Sequence, residues 1–118
     1  MTHAFDWNAG PLADGLRCYR NEKFFLAHEH WEAVWLTLDE PDKTFLQALI
    51  QTAAAFHHLG SHNPAGTLSL LRRALRRLEA YPPAYCGVSV EELRKGQRAW
   101  IGALERQERP QISYPRIK

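Results

Sequence analysis

The sequence predicts an all-α protein, an antiparallel bundle of about five helices ending in an extended tail. Apolar residues recur at helical spacing through five successive segments, cap residues, glycine or proline punctuate those segments, and no run shows the alternation of a strand. At 118 residues the chain has the size of one domain and buries roughly two thirds of its extended surface on folding, so a single domain over residues 1–118 is expected.

The first helix is read from Pro11 to about Tyr19, with proline in the first turn, where its missing N–H costs nothing. Asn21 reads as an N-cap, and a second helix runs from Glu22 to about Leu38, stopped by Asp39-Glu40-Pro41. The third extends from about Asp42 to Leu59 and is closed by Gly60, read as a left-handed C-terminal residue. The short connection predicts that the second and third helices pack antiparallel as the central pair. Asn63-Pro64 starts a fourth helix, which reaches about Tyr81 before Pro82-Pro83. A fifth spans about Val90 to Arg106 behind a Ser89–Glu92 capping box. The tail, 107–118, contains Pro110 and Pro115 and is expected to be extended, loose or laid across a neighbour.

The second helix carries the one site-like pattern. Taking His28 as origin at about 100° per residue, Phe24, Trp31, Glu32 and Trp35 all fall within about 60° of it, so His28 and Glu32 sit inside an aromatic stripe. Burial of that stripe would carry the pair out of water. The third helix complements it: from Thr44 to Leu59 there is no charged residue, and Thr44, Gln47, Gln51 and His58 form one polar stripe. A turn centred near residue 40 sets Glu32 level with Gln47 and His28 level with Gln51, so a buried His-Glu-Gln-Gln hydrogen-bond network is expected.

These segments resemble a known family. The run from His28 through Glu32 to Trp35 matches the H-x-x-x-E-x-x-W signature of the domain of unknown function 309 family, and Asn21 to Phe25, Gln47 to Gln51, His57 or His58, and Asn63-Pro64-Ala65-Gly66 fit the same pattern. The similarity covers about residues 19–81. It implies a helical bundle in which His28, Glu32 and Trp35 matter, with a metal ion as the suggested ligand and no established activity.

Several readings of the cluster follow. An imidazole and a carboxylate one turn apart can share a divalent metal, which makes His28 and Glu32 tentative ligands. Two ligands are not a site, however, and neither HExxH nor the Glu-x-x-His of di-iron bundles occurs. Glu32 could instead orient His28 as a general base, making the two candidate catalytic residues of a hydrolase-like protein, although no nucleophile lies nearby. A structural hydrogen bond that orders the core is the plainer explanation. Trp31, Trp35, Gln47, Gln51 and His58 are the candidate binding residues around the pair, although the two tryptophans are better explained as core unless a pocket opens beside them. The alternative to a metal or hydrolase function is a non-catalytic module that assembles through the uncharged third helix, most simply as a symmetric homodimer.

The net charge of +2 is too small to identify a polyanion-binding protein, but Arg72, Arg73, Arg76 and Arg77 line one side of the fourth helix opposite Leu68, Leu71, Leu75 and Leu78. A solvated amphipathic helix explains that face better than a nucleic-acid surface, because no aromatic residue interleaves the arginines. Cys18 and Cys86 show no CxxC spacing and are read as reduced thiols. With no signal-like start and no apolar run near ~20 residues, the expected location is cytoplasmic, away from any membrane.

Overall fold

A computed structural model describes residues 5–118. Five helices follow in chain order: α1 (Gly10–Arg20), α2 (Phe24–Trp35), α3 (Asp42–Gly60), α4 (Pro64–Leu78) and α5 (Val90–Glu105). The expected all-α architecture is present. Among the described residues no helix is long and apolar enough to cross a membrane.

The central element is α3. On one side it meets α2, through Phe24 against Phe56 and Phe25 against His57, with ring centroids 5.6 and 5.1 Å apart. These pairs confirm the antiparallel register, with residue numbers at one level summing to about 80. On the other side Arg77 of α4 donates from Nε to Gln51 Oε1 at 3.1 Å. Beneath α3, α5 contributes Trp100 against Phe56 and Gln97, whose amide donates to Thr52 Oγ1 at 2.9 Å. Helices α2, α3 and α4 therefore form one layer, and α1, α5 and the tail close its inner face.

Close approach of α1 to α2 depends on one small residue. Gly15 is buried against Trp31, and a Cβ there would overlap the indole. The indole has little room to move. Trp31 is fully buried, stacked on Tyr19 at 5.9 Å, met edge-on by Trp7 at 6.5 Å, and donates from Nε1 to the Leu12 carbonyl at 3.1 Å.

The tail is ordered by the core it covers. Tyr114 packs on Phe24, Phe56 and Trp100, stacking on the last at 5.3 Å, while Ile117 is buried. Backbone carbonyls of the tail also serve the core: Trp100 Nε1 donates to Ser113 O, and the Tyr19 hydroxyl donates to Pro115 O at 2.7 Å. Burial raises the Tyr19 phenol well above its usual pKa, so it remains a donor.

Four local expectations are corrected. Asn21 is the C-cap of α1, with its side chain donating to Arg17 O, and Lys23 stands at the N-cap of α2. The second helix stops at Trp35, because the Thr37 hydroxyl and N–H both turn back to Val34 O in a tight turn. Gly60 ends α3 inside the helix, and the left-handed residue is His62, φ 59°. The fourth helix ends at Leu78, where Arg94 takes the carbonyls of Leu78 and Tyr81 and where a hairpin too short to show alternation, β1 (Ala84–Tyr85) and β2 (Val88–Ser89), leads into α5. The Ser89 cap and the tail laid over its neighbours are as expected.

Candidate functional site

His28 and Glu32 are one turn apart on α2, and Nε2 lies 3.1 Å from Glu32 Oε2. The pair is formed, but it is not buried. The His28 side chain is 29% exposed and that of Glu32 51%, because the stripe turns its Phe24, Ala27 and Trp31 edge inward and its 25, 28, 32, 36 edge outward. The expectation of a buried pair is thereby corrected. Trp31 is likewise corrected from candidate binding residue to core.

The polar stripe of α3 does not meet the pair. At about 100° per residue, Gln51 lies roughly 140° and Gln47 roughly 180° around α3 from Phe56, the residue that packs on α2. Gln51 consequently reaches α4 and bonds Arg77. His58 Nδ1 lies 3.1 Å from the side-chain amide of Asn63, at the α3–α4 turn, and Thr44 Oγ1 donates to Glu40. The His-Glu-Gln-Gln network is therefore absent. A buried side chain–side chain hydrogen bond is found instead between Gln97 and Thr52, whose hydroxyl donates to Ala48 O. Gln97 gives little sign of this in the sequence, since the charged neighbours on α5 make it look like surface.

What the structure does bring together is a face. Gln47, Ala54 and His58 are half-buried while the rest of α3 from Phe45 to Phe56 is largely enclosed, so one strip of an uncharged helix stays open. Its α2 border is Phe25, His28, Glu32, Trp35 and Leu36. Phe25 is 49% and Leu36 69% exposed, and Lys43 Nζ sits 4.4 Å above the Trp35 ring. The α4 border is Arg73 and Arg77. Of the residues singled out from sequence, His28, Glu32 and Trp35 lie on the outer edge of α2, Gln47 and His58 on the half-buried strip of α3, and Gln51 is buried against Arg77.

The residues do not make a complete metal centre. Among the described residues no three His, Cys, Asp or Glu side chains converge. His28 uses Nε2 on Glu32, while its Nδ1 and the Trp35 Nε1 are buried without partners among the described residues. Two grooves of about 680 and 730 Å³ flank the tail, and neither is lined by His28 or Glu32. Because the pair is a partly exposed i,i+4 contact, Glu32→Gln should change stability by less than about 1 kcal/mol in denaturant unfolding. A loss of 3 kcal/mol or more would mean the pair is structurally buried.

A second titratable cluster sits where the hairpin meets α3. Tyr85 donates its hydroxyl to Asp42 Oδ1, and Cys86 Sγ lies 4.0 Å from the same oxygen. Burial and the Asp42 carboxylate push the Cys86 thiol up to about 11. A raised thiol pKa means less thiolate at any pH below it, so iodoacetamide at pH 8 should label Cys86 at least ~10-fold more slowly than a free cysteine, with the rate climbing toward pH 11. Labelling at the free-thiol rate would contradict this environment.

Fold and face together define a small helical bundle whose H-x-x-x-E-x-x-W residues border an open helix strip. A family profile described as "Domain of unknown function (DUF309)" matches residues 12–70, half of the chain, and the protein belongs to that family. The match covers α1, α2, α3 and the first part of α4, so it begins and ends earlier than the 19–81 read from the motifs. An uncharacterized protein of Aquifex aeolicus (strain VF5) is 29% identical over 111 residues, which cover 93% of this chain. The chain spans 30% of that relative's length.

Proposed function

We propose that this protein is a non-catalytic docking module and that the α2–α3–α4 face is its contact surface. The observation that carries the reading is the open strip of α3, uncharged from Thr44 to Leu59 and flanked by exposed Phe25 and Leu36. Exposed large apolar side chains grouped on one face mark contact surfaces in soluble proteins. Within it, the His28–Glu32 pair and the Trp35 ring supply the polar and aromatic features that give a contact its specificity.

The competing reading is a metal-dependent or hydrolase-like site at His28 and Glu32. It has two ligands where catalytic zinc sites use three, and neither residue lines the grooves beside the tail. Elemental analysis of untagged protein purified without chelator separates the two readings. Less than about 0.1 metal per chain, unchanged in His28→Ala, is the expected result. Stoichiometric metal that disappears in His28→Ala would overturn the docking-module reading.

A further inference from the structure

We infer that the occupant of this face is a second copy of the same chain, related by a two-fold axis running along α3, so that α2 of each copy lies over α4 of the other. The inference rests on the docking-module reading and names its partner. Its basis is the way charge is divided among the three helices of the layer.

Between Phe24 and Trp35 the only carboxylates or fixed cations on α2 are Glu29 and Glu32, both exposed. On α4 the charged side chains are all arginines, and α3 between them is uncharged from Thr44 onward. Arg72 is turned toward α5, where it pairs with Glu105 at 2.6 Å. Among the described residues, Arg73, Arg76 and Arg77 have no carboxylate within ion-pair distance. Glu40, whose carboxylate feels the Arg77 charge, is engaged by the Thr44 N–H and hydroxyl. One border of the face is thus acidic, the middle neutral and the other border basic.

A two-fold axis lying in such a face has two simple orientations. Perpendicular to α3 it would stack acidic α2 on acidic α2 and arginine on arginine. Parallel to α3 it exchanges the borders, setting each acidic edge over the partner's basic edge, and the contact is self-complementary as an isologous interface requires. The levels agree as well. In the α2–α3 register set by Phe24 and Phe56, Glu29 stands level with Gln51, and Gln51 is the residue bonded by Arg77. Because this axis preserves the level along α3, Glu29 meets the partner's Arg77, and Glu32, about 4.5 Å further along, lies within reach of the same side chain. The α3 helices then pair along their uncharged strips. Nineteen residues of α3 make a face about 28 Å long, and two interhelical spacings make it about 20 Å wide, the same order as the ~800 Å² per partner of a stable interface.

Charge inversion tests this. Arg73→Glu/Arg77→Glu and Glu29→Arg/Glu32→Arg alter exposed positions only, and circular dichroism verifies that each variant is folded. Sedimentation velocity at about 50 µM should give a dimer for the wild type and monomers for each variant alone, with self-affinity weakened at least ~100-fold, whereas an equimolar mixture of the two variants should restore the dimer. A wild-type monomer at that concentration would overturn the inference while leaving the docking-module reading to its metal analysis. Variants that remain dimeric, or a mixture that stays monomeric, would equally overturn the axis and the pairing.

Discussion

Truncating Trp31 to alanine should destabilise the protein by about 3–5 kcal/mol, the range for deleting a large buried aromatic side chain. The indole is fully buried among Trp7, Tyr19 and Gly15, and its N–H satisfies the Leu12 carbonyl inside the α1 turn. Its loss leaves a cavity and removes the second hydrogen bond to a carbonyl that α1 already engages. The same contact predicts that Gly15→Ala, which at an exposed helix position would stabilise by up to about 1 kcal/mol, should instead cost about 1–3 kcal/mol. The cause is steric, so the Gly15→Ala penalty should shrink when Trp31 is replaced by leucine. A double-mutant cycle by chemical denaturation reads this directly, and additive effects would show that Gly15 and Trp31 act independently.

Removing residues 112–118 should lower stability by more than about 3 kcal/mol, or roughly 10 °C in melting temperature for a domain of this size. Tyr114 covers Phe24, Phe56 and Trp100, Ile117 is buried, and the Tyr19 hydroxyl loses its acceptor when Pro115 goes. Tyr114→Ala alone should reproduce most of the loss, whereas Ile112→Ala, at an exposed position, should be nearly neutral. A truncated protein that melts with the full chain would mean the tail adds nothing to the core.

Helical class and the order of the helices were legible because they rest on local signals: the Asn63-Pro64 start, the Ser89 cap and the 3.6-residue spacing of α3. The central pairing was legible too, because a short turn near residue 40 leaves α2 and α3 no other register. What failed were inferences about which way a face points. His28 and Glu32 lie in the same aromatic stripe as Trp31, but a stripe more than 100° wide has a buried edge and a rim, and only packing against α1 decides that Trp31 takes the first and Glu32 the second. The Gln47–Gln51 stripe failed for a related reason. Register sets the level of a residue along its neighbour and says nothing of its rotation, and α3 turns that stripe toward α4 and the open strip. The Gln97–Thr52 contact links residues 45 apart and leaves no periodic trace.

Ala54 lies half-buried in the middle of the open strip of α3, where a longer side chain points outward and a charge costs the fold little. Sedimentation velocity on Ala54→Glu beside the wild type, both at about 50 µM, tests whether that strip is a contact surface. The expected result is a folded Ala54→Glu monomer of 13.6 kDa against a wild-type dimer of twice that mass. Identical sedimentation of the two proteins would contradict the claim that the α2–α3–α4 face is where this protein associates with a second copy of itself.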